Sequence, residues 1–294
     1  MTDNLIEPLP TPKSTVGHSQ RTPCKHQLMS RLFGREIGAL TTASFAKVPG
    51  AYWVDLTAGD GIAANGGAWI KNCSPGILAH HARYDRNRKP VQVVLFEKAT
   101  RTYATLLDNL ANELPQIGYR REDENIWRAG PATLFALNDD SGTFNPLVIP
   151  PGSAVQIVND PNTINTWAMD PNLMAEVKRR SWASLGMSTM GCNAAGLKRL
   201  DRAERDGWYG HVAAQVRGLH DYHDLLLAAI ERDAHQWAYL VTAPIAWKHQ
   251  VTADAQGAFG KGGFSLQCVW LRDAPPEFRA LLDRLFLSAT ERAS

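Results

Sequence analysis

Hydrophobic positions along the chain switch repeatedly between two periods. Leu28, Leu32, Phe33, Ile37 and Leu40 recur three or four residues apart, which predicts an apolar helix face running to about Phe45. Thr22 reads as the N-cap of that helix, and Pro23 as its first residue, where a missing N–H costs nothing. Residues 51–57 form a short apolar strand pattern that breaks at once into Ala58-Gly59-Asp60-Gly61. A second run, 91–97, ends on Glu97, and Tyr103, Leu106, Leu107 and Leu110 then mark an amphipathic helix over 100–114. A third run, 154–158, breaks into Asn159-Asp160-Pro161-Asn162. Beyond it the pattern predicts a helix at 171–180, a strand at 183–190 and a long helical region from about 201 to 233. Two last strands, 237–242 and 264–271, flank the glycine-rich stretch 257–263, either a loop that reaches over a substrate or a flexible hairpin. Alternating strands and helices predict an α/β fold whose mostly parallel sheet carries helices on both faces.

Composition narrows the class. The 294 residues are 44% hydrophobic and 20% charged, too apolar for a disordered chain and long enough for one large α/β domain. Residues 1–22, with Pro8, Pro10 and Pro12 in a polar setting, read as a flexible arm, and 23–294 as a single domain. Cys24, Cys73, Cys192 and Cys268 are widely spaced and include no CxxC pair, which argues against a disulfide scaffold or a structural zinc site. Adjacent His80 and His81 lack metal-ligand spacing, so no metal is assigned. No apolar run approaches the ~20 residues that span a bilayer, and the expectation is a cytoplasmic protein with no membrane partner.

In an open parallel sheet, ligands bind beyond the carboxyl ends of the strands. Three predicted strands end there in polar or glycine-rich turns: 55–61, Glu97 and 159–162. Gly59 and Gly61 carry no Cβ and allow a sharp turn with close backbone approach to a ligand. A dinucleotide fingerprint requires a third glycine, but Ile62-Ala63-Ala64 follows, and Asp55 and Asp60 would repel a pyrophosphate. The same acids suit a ligand carrying an ammonium group. Glu97 is placed to accept hydrogen bonds from both hydroxyls of a ribose. Forty-two residues separate Asp55 from Glu97, against ~20 in a compact nucleotide-binding unit, so an insertion is expected at about 65–90. It contains a basic stretch with Arg83, Tyr84, Arg86, Arg88 and Lys89, either a phosphate-contacting segment or a solvated loop.

At these residues the chain resembles a class I S-adenosylmethionine-dependent methyltransferase. Asp55-Leu-Thr-Ala-Gly-Asp-Gly61 is similar to that family's first motif, Glu97 to its ribose-binding acid, and Asn159-Asp160-Pro161-Asn162 to its fourth-strand motif. Lys25-His26, Ser74-Pro75, Phe96-Glu97-Lys98 and Asn193…Gly196-x-Lys198-Arg199 further resemble the three-Cys-motif partner proteins, a methyltransferase-like family. The resemblance implies a Rossmann-like three-layer sandwich with a mostly parallel seven-stranded sheet and an antiparallel last strand. It implies S-adenosylmethionine as cofactor, with Ala58, Gly59 and Gly61 against its methionine part, Asp55 and Asp60 near the ammonium group, and Glu97 on the ribose. Asn159, Asp160, Pro161 and Asn162 would form the catalytic turn, holding an amine, in first place one on a nucleic-acid base, for methyl transfer.

Two departures qualify the resemblance. Adenine amino-methyltransferases follow the acid or amide with Pro-Pro and an aromatic residue, whereas Pro161 is followed by Asn162 and Thr163. The third-strand region, taken as 127–132, has Pro131 where an adenine-reading acid is expected. These favour an alternative, a non-catalytic methyltransferase-like protein that binds another protein or a nucleic acid. The net charge is only +2, yet bases bunch at 83–89, 178–180 and 198–202 while acids fall on strand ends. That distribution predicts an acidic cofactor cleft beside a basic rim.

Overall fold

The computed structural model describes residues 22–63, 67–84, 86–160, 171–181, 187–193, 221–232 and 235–272, with helical positions at 207, 210, 212–213, 216–218, 276 and 280 and a bend at 219. Among them are helices α1 (Thr22–Leu40), α2 (Trp69–Asn72), α3 (Ser74–Ala82), α4 (Thr100–Glu113), α5 (Pro171–Arg180) and α6 (Lys248–Lys261). The strands are β1 (Ala51–Asp55), β2 (Val91–Phe96), β3 (Arg120–Asp123), β4 (Ile126–Ala129) and β5 (Ala132–Leu137). They continue with β6 (Ala154–Asn159), β7 (Met187–Asn193), β8 (His223–Arg232), β9 (His235–Pro244) and β10 (Ser265–Trp270).

These strands form one sheet of ten in the order β10-β8-β9-β7-β6-β1-β2-β5-β4-β3, three more than the seven expected. The middle five, β7-β6-β1-β2-β5, are parallel, and their chain order is that of a doubly wound nucleotide-binding sheet. Antiparallel strands extend both edges. The β3–β4 hairpin pairs onto β5, and β9, β8 and β10 continue from β7, so the last strand is antiparallel as expected.

All five residues of β1 are buried, because helices cover both faces of the sheet. On one face, Phe33 and Ile37 of α1, Ile77 and Leu78 of α3, and Leu106 and Leu110 of α4 pack on Trp53, Val93 and Leu134. Leu28 and Leu32 of α1 continue that layer over β8 and β9, together with Val251 and Phe259 of α6. On the other face, Val177 of α5 with Val212 and Leu219 packs on Tyr52, Val94, Ile157, Leu227 and Leu240. The result is the expected three-layer arrangement. No helix among the described residues is long and apolar enough to cross a membrane.

Three sequence expectations are corrected. Residues 223–232 are strand β8, not the end of a long helix. A strand buried on both faces reads as a continuous apolar run, which periodicity cannot tell from a buried helix. Residues 257–261 close α6 rather than forming a hairpin. A Cβ on Gly257 would sit 2.7 Å from the Arg31 guanidinium, so the small residue there serves close approach of α6 to α1. The first helix ends at Leu40, and residues 43–45 form a separate 3₁₀ turn.

Beneath α1 lies a buried acid. Glu36 has no exposed surface, and its Oε1 accepts a 2.6 Å hydrogen bond from the Trp53 indole. Burial pushes the Glu36 carboxyl up to about 7 from an ordinary 4.5, against the opposing influence of Trp53 and Gln156. The native state therefore holds this proton through a range where the unfolded chain has released it. The stabilisation is complete below pH 4.5 and is lost as pH rises through about 7, a change of up to ~3 kcal/mol. Glu36→Gln keeps an acceptor for Trp53 and removes the titration. Thermal melts at pH 5 and pH 8 should show wild type less stable at pH 8 and the variant with a smaller difference; equal differences in both proteins would contradict the assignment.

Candidate functional site

Strand order reverses between β1 and β6, since the chain leaves one toward β2 and the other toward β7. A reversal of this kind opens a crevice at the carboxyl edge of a parallel sheet. The turn after β1 is held on both sides of it. Leu56 donates its amide to the Val158 carbonyl at 2.9 Å, and Ala58 donates to the Phe96 carbonyl at 3.0 Å. Beyond these bonds the chain passes through two left-handed glycines, Gly59 (φ 67°) and Gly61 (φ 69°), conformations that a Cβ disfavours.

The two glycines have different surroundings. A Cβ on Gly59 would meet nothing within 4 Å among the described residues, so the backbone there borders open space. A Cβ on Gly61 would lie 2.8 Å from Leu106 Cδ1. Gly61 is further fastened by the Trp69 indole, which donates to its carbonyl at 2.9 Å, while Asn109 donates to the Asp60 carbonyl at 2.8 Å. Asp60 uses Oδ1 to accept from the Ile62 amide at 3.0 Å. The expected insertion region supplies Trp69 through α2, and with α3 it packs under α1.

Asp55 ends β1 with its side chain fully buried. Its Oδ1 accepts from the Thr57 amide at 2.9 Å, and its Oδ2 has no partner in good hydrogen-bond geometry among the described residues, the Ser74 hydroxyl lying close by. Burial raises its carboxyl to about 6, with Ser74, the Thr57 amide and Lys25 acting in the opposite direction and Asp160 adding to the rise. The Thr57 hydroxyl crosses the reversal and accepts the Asp160 amide at 2.9 Å. Lys25, near the start of α1, forms an ion pair with the Asp160 carboxylate. Asn159 is buried at the end of β6 beside them. One connected polar group thus joins α1, the β1 turn and the end of β6. Pro161 and Asn162 lie outside the described residues, as do Trp167, Lys198, Arg199 and Arg202.

Glu97 follows β2 along the same edge, half-buried, with Oε1 accepting from the Ala99 amide at 2.8 Å. The third parallel strand is β5, ending at Leu137, so the edge there carries Asn138-Asp139-Asp140. This corrects the third-strand region taken from the sequence. Residues 127–132 form β4 and its turn into β5, at the other end of the strands. Asn138 donates to the Glu97 carbonyl at 2.9 Å, and Asp140 pairs with Lys98 at 2.6 Å.

Of the predicted basic rim, the described runs at 83–89 and 178–180 are not at this edge. Residues 83–90 lead into β2 and therefore stand at the amino end of the sheet. Lys89 is spent on carbonyls, donating to Phe45 at 2.5 Å and Val48 at 2.6 Å. Lys178 donates to the Leu219 carbonyl at 3.0 Å, while Arg179 and Arg180 pair with Glu176. Burial lowers the titration of His81 to about 4, and His81 shares a 2.9 Å hydrogen bond with Ser30. No group of three or more metal-ligating side chains occurs among the described residues.

The turn, Glu97 and the β6 end named from the sequence lie along one sheet edge, whereas the contacts made there by Lys25, Thr57 and residues 138–140 were not anticipated. Thr57 had a local signal, a hydroxyl two residues after a strand-ending acid. Lys25 was singled out only as part of the Lys25-His26 motif, and nothing local signalled its pairing with Asp160, 135 residues away.

No family model and no curated protein matches the chain. Among solved structures, it is similar to a provisionally described rRNA-methylase from Clostridium thermocellum, at 12% identity and TM-score 0.33, covering 73% of this chain and 97% of that one. It is also similar to EvdMO1, at 14% identity and TM-score 0.39, covering 81% of this chain and 44% of that one, so it spans less than half of EvdMO1. Superpositions at that level carry no chemistry, and the site is read from its own residues.

The two glycines should separate experimentally. Gly61→Ala combines left-handed strain of about 1–3 kcal/mol with a clash against Leu106, whereas Gly59→Ala carries the strain alone. Urea unfolding should show a clearly larger loss for Gly61→Ala; equal losses would mean that Leu106 moves aside freely.

Proposed function

We propose that this protein is an S-adenosylmethionine-dependent methyltransferase acting on an amino group, with a nucleic-acid base as the acceptor class. The observation that carries the reading is the Gly59 turn at the strand-order reversal, open among the described residues where a Cβ would stand and following the buried carboxylate of Asp55. A bare backbone suits close approach of the methionine part of the cofactor, and a buried carboxylate suits its ammonium group. Ala58 and Gly61 would complete that contact, with Asp60 at its outer side. Glu97 has one oxygen committed to Ala99 and would turn the other to the ribose. When bound, S-adenosylmethionine supplies an electrophilic methyl on a sulfonium leaving group, so positioning outweighs proton transfer.

The chain's own residues would do that positioning. Asp160 is set by its amide bond to Thr57 and its ion pair with Lys25, and Asn159 stands next to it. Together they offer acceptors that orient an amine, and the Asp160 carboxylate can take up the proton that it sheds. Pro161 and Asn162 would extend the turn.

A second reading draws on that same ion pair. With Lys25 neutralising Asp160, and no second proline after Pro161, the turn also suits a protein that binds cofactor and partner without transferring methyl. Calorimetry with S-adenosylmethionine tests the shared premise: binding should be lost in Gly59→Val and weakened roughly tenfold or more in Glu97→Ala. Unchanged affinity in both variants, or none in wild type, would sink both readings. Incubation with radiolabelled cofactor and pools of DNA, RNA and protein then decides between them. Label on a nucleic-acid base, abolished by Asp160→Ala, supports the enzyme; cofactor binding with no label in any pool supports the partner protein.

A further inference from the structure

A cavity lies at the other end of the sheet, away from the described residues of the proposed methyl-transfer site. It measures about 370 Å³ and is lined by the α3–β2 connection (Arg83, Tyr84, Asn87, Arg88), by Gly118 after α4, and by the β4–β5 turn at Gly130 and Pro131. That volume is in the range of small-molecule sites, about 300–1,000 Å³. Since β2 has six residues and each rises about 3.3 Å, the cavity stands roughly 20 Å from Glu97.

Its chemistry is cationic and aromatic. Neither Arg83 nor Arg88 is in an ion pair among the described residues; Asp85, between them, is outside those residues. The Arg83 Nε is buried without a hydrogen-bond partner, a costly state for a donor. Arg83 also lies close enough to Tyr119, the neighbour of Gly118, to oppose the rise that burial causes in the Tyr119 hydroxyl. The Tyr84 ring is 40% exposed although its neighbour Asn87 is fully buried. The Asn87 side chain closes a local turn, donating to the Lys89 carbonyl at 2.7 Å and accepting from the Lys89 amide at 3.1 Å. Gly118 and Gly130 present backbone with open space where a Cβ would be. Arg120, two residues past Gly118, is exposed and adds to the positive charge.

We propose that this amino-edge cavity is a second ligand site, for a nucleotide whose phosphate sits between Arg83 and Arg88 and whose base lies on Tyr84. Guanidinium groups match phosphate geometry, and an exposed ring beside bare glycine backbone accommodates a flat base. A simple carboxylate would leave the ring without a role. The nucleotide is either free or part of a single strand. A strand held here would have to run about 20 Å along the molecule to present another base at Asp160.

The test is calorimetry on the full chain with adenosine monophosphate and with a short single-stranded oligoribonucleotide, for wild type, Arg88→Glu and Tyr84→Ala. Both substitutions fall on exposed side chains; a melting curve identifies a variant that fails to fold, and the other then supplies the reading. The expected result is binding that weakens with salt and falls about tenfold or more in either variant, with S-adenosylmethionine affinity unchanged. Binding of the mononucleotide identifies a free ligand, and binding of the oligoribonucleotide alone identifies a strand; either supports the site. No binding of either probe, or binding indifferent to both substitutions, overturns it. Since the cofactor measurement is independent, failure here leaves the methyltransferase reading standing, and failure there leaves this site standing.

Discussion

The reversal of strand order between β1 and β6 is the constraint on which the rest of the site depends. Two adjacent parallel strands send their chains in opposite directions, so no crossover covers the gap between their carboxyl ends. The molecule fills that gap with hydrogen bonds rather than with apolar side chains. Leu56 still bonds β6 while Ala58 already bonds β2, and the Thr57 hydroxyl ties the Asp160 amide back across the opening. Burying Asp55 at this point is unfavourable in itself, as its raised titration records. Its hydrogen bond to Thr57 and the nearby Lys25 charge offset part of that cost. The site is thus built from the groups that also hold the reversal together, which is why changes to it should be felt in stability as well as in binding.

Helix α1 links this region to the rest of the fold. Phe33 and Ile37 pack over the parallel strands, while Leu28 and Leu32 pack over the antiparallel wing with α6. Arg31 and Arg35 bond Asp254 of α6, and Lys25 reaches the carboxyl edge. The far wing has its own polar anchor. Buried Asp224 pairs with Lys248 at 2.5 Å and accepts the Arg272 amide at 2.9 Å, joining β8, α6 and the chain after β10. Buried carboxylates with satisfied partners fix orientation more than they add stability. Here they set how the wing docks on the doubly wound core.

Charge is segregated along the strand axis. Asp55, Asp60, Glu97, Asp139 and Asp160 gather at the carboxyl edge, whereas Arg83, Arg88 and Arg120 stand toward the amino edge. The near-neutral total conceals two ends of opposite character, each suited to a different kind of ligand. Of the basic runs expected beside an acidic cleft, 83–89 stands about one strand length from the carboxyl-edge acids, and 198–202 lies outside the described residues.

Much of the parallel core was legible in the chain because its signals are local. The strand runs at 51–57, 91–97 and 154–158, the Gly59-x-Gly61 turn and the terminal carboxylate Glu97 each lie within a few residues of the feature they specify. A strand buried on both faces has no such signature, so β8 read as helix until its pairing with β9 and β10 decided otherwise. The β3–β4 hairpin likewise displaced the third parallel strand to 132–137 and moved the acids at 139 and 140 to the site edge. The sequence by itself determined which short segments turn, extend or cap, since those depend on backbone sterics and neighbouring side chains. Only the tertiary structure decided that Lys25 meets Asp160, that Thr57 bridges two strands and that Arg83 and Arg88 stand at the opposite end of the sheet from Asp55 and Glu97. Contacts between residues more than a hundred positions apart depend on sheet order and helix packing, and no local pattern encodes either.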